Sequence, residues 1–504
     1  MVTQNKKRFQ EYYTTSSPIV EYMSRMLLLE AGDRVLEPSA GQGALVDSVI
    51  RAEPCLTVDA YELNEESVLH LKNTYADDNR VNVTHANTLL QQSFGEEGRS
   101  SGIYDKIIGN PPYGAWLDYD ERADLKNLFP GMYVKETYGL FLAKCIGLLK
   151  PGGRLVFIIP ETFLSLHRHQ NLRRLVLETC AIHEISIFPS SYFPGLKFGY
   201  AKLCIISLEK ARTPGNLPDH EVSVRYGFSG AHELLEGASF SGTRVLRKQR
   251  DIYDSADHAL HLHSTPGVVE LIGSTTTRLG DIADCVTGFY SGNDLRFLRH
   301  NCPGARSAKR YEHITEELVT SSPDGEERTL GINGPRRYVP IRKGGSAEYV
   351  ALEKWYMDWS PAAVHHYKTD KKSRYQNSQY YFRNGIGVPM VSSKRIKAAL
   401  IQEELFDQSI VGIFPRDERL IPYLLAFLNS ATGNTLVRAI NPTANNSANY
   451  LKKVPVIIPE APVLDRIGEL VSRTVGALST DPSSVVLSSV RDEVDSIFKD
   501  IYGF

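Results

Sequence analysis

Over the first 210 residues, short apolar runs alternate with stretches of helical periodicity, and this alternation leaves few folds open. The runs are 34–37, 57–61, 81–85, 105–108, 154–159, 183–188 and 200–208. Most segments between them are too long for hairpin turns. The runs are therefore predicted to lie side by side as strands of a mostly parallel α/β sheet, joined through helices. Tyr138, Phe141, Leu142, Cys145 and Leu149 mark one such helix. Lys150, Pro151, Gly152 and Gly153 end it before the fifth strand.

After Lys210 the texture changes. Pro214, Gly215 and Pro218 punctuate a predicted linker at 211–218, which divides the chain into domains 1–218 and 219–504. Residues 220–460 are turn-rich with short strands. Two helical patterns follow: Leu464, Ile467, Val471, Val475 and Leu478, then Val490, Val494, Ile497 and Ile501.

Composition excludes several classes. With 42% hydrophobic and 23% charged residues the chain is neither disordered nor fibrous. No run approaches the ~20 apolar residues of a membrane span, so no membrane partner is expected. Residues 1–10 are polar and basic, unlike a secretory signal. Cys55, Cys145, Cys180, Cys204, Cys285 and Cys302 form no C-x-x-C pair. They read as buried thiols of a reducing compartment, here the prokaryotic cytoplasm, with no metal site. The net charge of −2 hides an asymmetry. Residues 1–100 hold nine Lys and Arg against fifteen Asp and Glu, whereas 361–400 hold eight against Asp370 alone.

Three motifs carry chemistry. The first strand runs through Glu37 into a loop with Ala40, Gly41 and Gly43, and a helix follows. Glycines there let a ligand approach the backbone, and the helix N-terminus favours polar groups. Glu62 closes the next strand, 25 residues after Glu37, where a carboxylate can accept both hydroxyls of a ribose. Asn110, Pro111, Pro112 and Tyr113 follow the fourth strand. Such a tetrad arises by chance about 0.003 times in a chain of 504 residues at about 5% usage of each. A planar exocyclic amine is a poor nucleophile because its lone pair is delocalised. The Asn110 side-chain oxygen and the Pro111 carbonyl can accept its N–H bonds and favour a tetrahedral nitrogen. The prolines hold that carbonyl, and Tyr113 can stack on a flat substrate.

With these motifs in this order the chain resembles the gamma-class adenine-N6-specific DNA methyltransferases of type II restriction–modification systems. The resemblance is specific over 10–210 and general over 280–460. It implies a class I S-adenosylmethionine-dependent methyltransferase fold, with a C-terminal mixed α+β target-recognition domain. The expected cofactor is S-adenosyl-L-methionine, held by Tyr13, Thr15, Glu37, Ala40, Gly41, Gly43, Glu62 and Asn87; the family usually has Asp at the last position. Asn110 to Tyr113 are the expected catalytic residues, and Phe193 the aromatic on the other face of a flipped adenine, with Phe198 its competitor. The expected partners are double-stranded DNA and a separate cognate restriction endonuclease, with the enzyme acting as a monomer.

Thr287 to Asn293, Tyr423 to Ser430 and Asn441 to Tyr450 resemble segments of such recognition domains. The basic stretch includes Lys368, Lys371, Lys372, Arg374, Arg383, Lys394, Arg395 and Lys397, with Tyr367, Tyr375, Tyr380, Tyr381 and Phe382 among them. It is expected to meet phosphates, through Lys371, Lys372 and Arg374 in particular. A ribosomal RNA base methyltransferase, a protein glutamine methyltransferase and a non-enzymatic specificity subunit remain the alternatives. The intact motifs disfavour the last, and the long second half disfavours the other two.

Overall fold

The computed structural model describes residues 16–91, 102–113, 119–193, 202–213, 220–237, 239–260, 266–301, 309–345, 347–392, 395–441, 444–481 and 486–504. The chain divides into two compact units, Met1–Leu260 and His261–Phe504.

The first unit is built on nine strands: β1 (Arg34–Glu37), β2 (Thr57–Glu62), β3 (Val81–His85), β4 (Tyr104–Gly109), β5 (Leu149–Pro160), β6 (Cys180–Pro189), β7 (Lys202–Lys210), β8 (Glu221–Tyr226) and β9 (Thr243–Lys248). Their order is β3-β2-β1-β4-β5-β7-β6-β8-β9. β1 to β5 pair in parallel. β7 lies antiparallel between β5 and β6. This is the class I methyltransferase sheet that the resemblance implies. Ile107, Ile108, Leu155, Val156, Phe157, Ile158 and Ile159 are fully buried. That is why the central strands read as unbroken apolar runs: parallel strands are covered on both faces. Helix α1 (Ser17–Met26) precedes β1, and helices α2 (Ala44–Ala52), α3 (Glu65–Thr74), α4 (Tyr119–Leu128), α5 (Thr137–Leu148) and α6 (Gln170–Thr179) lie in the connections between strands.

The division expected at residue 218 is corrected to Leu260. β8 pairs in parallel with β6 from Glu184↔Ser223 to Ile187↔Tyr226, and β9 pairs antiparallel with β8. Val222 and Val224 are fully buried. Arg225 is 3% exposed. Its guanidinium lies 3.4 Å from the Glu184 carboxylate, which also accepts from the Tyr22 hydroxyl of α1. These strands complete the first sheet.

The second unit contains an eight-stranded mixed sheet. Its strands are β10 (Ala283–Thr287), β11 (Leu298–His300), β12 (Glu312–His313), β13 (Tyr338–Arg342), β14 (Trp355–Asp358), β15 (Arg383–Pro389), β16 (Ala399–Phe406) and β17 (Ile410–Pro415). They lie in the order β10-β17-β15-β16-β13-β14-β11-β12. Trp359, Phe289, Tyr367, Tyr381, Phe382 and Phe406 form its aromatic core, with Tyr375 and Tyr380 half-buried against it. Tyr367, Tyr381 and Phe382 of the basic stretch therefore do not lie open for stacking on bases. The two helical patterns at the end of the chain form helices Ala461–Thr480 and Val486–Tyr502. Among the described residues no single helix is long and apolar enough to cross a membrane.

Candidate active site

The strand order reverses between β1 and β4, which pair at Val35↔Lys106 and Leu36↔Ile107. Loops leaving two such neighbours diverge and open a crevice at their carboxyl ends. The glycine loop and the Asn-Pro-Pro-Tyr segment are those two loops. They are joined directly: the Ser39 hydroxyl donates to the Asn110 carbonyl across 3.3 Å.

The glycine loop is held on three sides. The Ala40 N–H donates to the Tyr61 carbonyl of β2, and the Thr88 hydroxyl to the Pro38 carbonyl. The Gly41 N–H donates to Glu62 Oε2 at 2.7 Å. Gly43 caps α2 at φ +87°, where a Cβ would stand 2.7 Å from Tyr75 Oη and 2.9 Å from Leu71 Cδ2. Both the left-handed backbone and the close approach of α3 demand glycine here.

Glu62 Oε1 accepts the N–H groups of Leu63 and Asn64, each at 2.7 Å. The carboxylate is thus oriented by backbone on both oxygens. Glu37 is 1% exposed. Its Oε1 accepts the Ser39 N–H at 3.2 Å, and its Oε2 is buried without a hydrogen-bond partner among the described residues. Burial drives its carboxyl well above the usual carboxylate range, and the charge of Glu62 pushes the same way. Asn87 caps the turn after β3, its Oδ1 accepting the Leu89 N–H at 3.1 Å. An amide oxygen has a second lone pair to offer.

Asn110 follows Gly109, whose missing side chain admits the Phe157 ring to within 2.9 Å of where a Cβ would be. The Pro112 carbonyl accepts the Thr137 hydroxyl at 2.6 Å, so the start of α5 holds the segment. Pro111 is buried. Tyr113 is 1% exposed, its ring edge-on to Tyr138 at 6.4 Å between centroids. Its ring must be uncovered before it can stack on a substrate.

The other expected site residues fall in different places. Tyr13, Thr15 and Phe198 lie outside the described residues. Phe193 follows β6 at the same edge of the sheet and is 1% exposed. Three interstrand spacings, about 14 Å, separate the ends of β4 and β6. Among the described residues no group of three or more His, Cys, Asp or Glu side chains could hold a metal ion.

In the second unit Lys371, Lys372 and Arg374 are exposed. Arg374 exchanges backbone hydrogen bonds with Tyr290, and Ser373, Gln376 and Asn377 donate side-chain bonds to carbonyls of Tyr290, Gly288 and Thr287. The basic segment and the turn at Thr287 to Asn293, separate in sequence, thus form one surface. Arg395 does not belong to it: its guanidinium lies 3.8 Å from the buried Glu348 carboxylate and donates to the Asn429 carbonyl. Lys394 lies outside the described residues. Sequence reasoning missed Ser39 and Thr137, because their contacts span 71 and 25 residues and no local pattern marks them.

The chain is similar to known proteins over the same region. Residues 19–193 match the family model of the Eco57I restriction-modification methylases. The type II methyltransferase M.HincII of Haemophilus influenzae is 28% identical over 194 residues, 37% of this chain and 35% of that one. The type II methyltransferase M.AccI of Acinetobacter calcoaceticus is 28% identical over 193 residues, 36% of this chain and 34% of that one. The matched segment thus spans about a third of the length of these curated relatives. The cryo-EM structure of a DrdV–DNA complex aligns with 94% of this chain and 58% of that one, with a TM-score of 0.57 at 14% identity, a likeness of fold. The resemblance read from the motifs therefore stands: on a class I methyltransferase fold, residues 19–193 are similar to the methyltransferases of restriction–modification systems.

Proposed function

We propose that this protein is a site-specific DNA methyltransferase acting on the exocyclic amino group (N6) of adenine in duplex DNA. The observation that carries the reading is the hydrogen bond from Ser39 to Asn110, which couples the glycine loop to the Asn-Pro-Pro-Tyr segment at the β1/β4 crevice. The residues of that crevice fit S-adenosyl-L-methionine. Gly41 and Gly43 shape the loop tightly against Glu62 and α3, Glu62 presents an oriented carboxylate to a ribose, and Asn87 offers an amide oxygen to an adenine amine. Tyr13, Thr15, Glu37 and Ala40 complete the proposed cofactor site. When bound, S-adenosylmethionine supplies the activated methyl group.

The protein's own part is to bind and orient the acceptor. A stacked adenine cannot reach Asn110, so the base leaves the duplex. Tyr113 and Phe193, both buried here, meet its two faces once uncovered. Asn110 Oδ1 and the Pro111 carbonyl accept the two N–H bonds of the amine and draw its lone pair out of the ring. The rigid prolines spare reorganisation at that moment. Lys371, Lys372 and Arg374 supply phosphate contacts that the acidic first unit lacks. We further propose a monomeric enzyme of the prokaryotic cytoplasm that protects its site from a separate restriction endonuclease.

Single-molecule sequencing of DNA from cells expressing the chain tests the proposal. Modified adenines within one short sequence are the expected result. Unmodified DNA with methyl label on ribosomal RNA or a protein glutamine would overturn it.

A further inference from the structure

Behind the Asn-Pro-Pro-Tyr segment lies a buried polar chain with no part in the reaction described above. Tyr138, the second residue of α5, is 0% exposed. It presents its ring to the edge of Tyr113 at an interplanar angle of 88°. Its hydroxyl lies 2.8 Å from His169 Nε2, and the two rings stand 5.2 Å apart. His169 is 2% exposed. The same Nε2 lies 2.8 Å from Glu136 Oε2. Glu136, Thr137 and Tyr138 are consecutive, so one helix start grips the segment twice, at the Pro112 carbonyl and at the Tyr113 ring. The imidazole closes the circuit from the next helix. Gly139 leaves room for α6, since a Cβ there would lie 3.0 Å from Leu172 Cδ2.

Burying an imidazole and a phenol, with a partly buried carboxylate beside them, is costly unless each is satisfied. Plain apolar packing would fill this space at lower cost, so the polar arrangement calls for a reason. Its geometry supplies one. The one Nε2–H is shared between the Glu136 carboxylate and the Tyr138 hydroxyl oxygen, so the imidazole ties the carboxylate to the Tyr138 ring, and that ring packs at right angles to Tyr113.

Building on the methyltransferase reading, we infer that Tyr138 and His169 are positioning residues, which set the Tyr113 ring and thereby govern capture of the flipped adenine in front of Asn110. They touch neither cofactor nor base. Displacement of a positioned group by about 1 Å is enough to cost roughly a hundredfold in rate.

The test uses the full chain with two unmethylated duplexes of its target sequence, one with adenine at the target position for single-turnover methylation and one with 2-aminopurine there for fluorescence. His169→Leu removes the polar link at similar volume, and His169→Gln restores an N–H near the Nε2 position. Tyr138→Phe keeps the ring contact and releases the histidine. His169→Leu and Tyr138→Phe should lower single-turnover methylation by roughly ten- to a hundredfold and suppress the fluorescence rise. His169→Gln should recover most of both, while cofactor and DNA affinities stay within a few-fold throughout. Wild-type rates and fluorescence in His169→Leu and Tyr138→Phe would overturn the inference. So would losses that track cofactor affinity and melting temperature and are not recovered by His169→Gln. A wild-type protein that methylates no adenine would overturn the underlying reading, and this inference with it.

Discussion

The Ser39 hydroxyl donates to the Asn110 carbonyl, linking loops 71 residues apart in sequence. Each loop leaves a different strand of the parallel pair β1–β4, so the bond spans the point where the sheet reverses direction. The hydrogen bond ties the position of one loop to that of the other.

Gly43→Asp places a side chain against Tyr75 and Leu71 at a left-handed φ of +87°. The backbone alone costs about 1–2 kcal/mol. Titration calorimetry should find S-adenosylmethionine binding greatly weakened, with a lowered melting temperature. Unchanged affinity in a folded variant would remove this loop from the cofactor site.

Asn110→Ala deletes one proposed acceptor of the amine and leaves the second unit intact. Turnover should fall by about two to three orders of magnitude, as for loss of one preorganised polar partner. DNA affinity, read by fluorescence anisotropy, should stay within a few-fold.

Glu37 offers a pH signature. Its folded-state carboxyl holds its proton above the usual carboxylate range because it is buried. The folded state therefore binds more protons than the unfolded state between the ordinary carboxylate pKa and the raised one, and stability falls as pH rises through that window. Glu37→Gln abolishes this titration. Its melting temperature relative to wild type should climb with pH above the ordinary carboxylate range. A constant difference across that window would contradict the assignment.

Neutralising Lys371, Lys372 and Arg374 together should weaken binding to all duplex sequences alike. The slope of log affinity against log salt should shrink by about 0.9 for each phosphate that the variant no longer neutralises. Arg395→Ala is the contrast. It breaks the interactions with Glu348 and the Asn429 carbonyl, so it should lower the melting temperature and leave the salt slope alone.

Much of the first unit was legible because its central strands are buried on both faces, and runs such as Leu155 to Ile159 announce themselves. β9 was not legible. It is a sheet-edge strand, and its exposed Arg244 and Lys248 read as ordinary surface. The motif residues were visible because glycine, proline and a terminal acid obey local rules. What supports them was hidden: Tyr138 reads as one more apolar position on a helix, and its hydroxyl finds His169 only after α5 and α6 pack. Tyrosine also misled in the other direction. Tyr367 and Tyr381 suggested stacking platforms among basic residues, yet both are spent on the core around Trp359.

The closure of the first sheet by β8 and β9 bears on how such a protein can be recombined. A hybrid joined at residue 218 would part Arg225 from Glu184 and strip β6 of its partner β8 on one side. A junction at Leu260 keeps every ladder bond within its own parent. Exchange of the second unit between relatives, by an engineer or by crossover in a genome, is then tolerated downstream of that point and penalised upstream of it. The seam lies about forty residues later than the proline-bearing stretch where the sequence invites a cut.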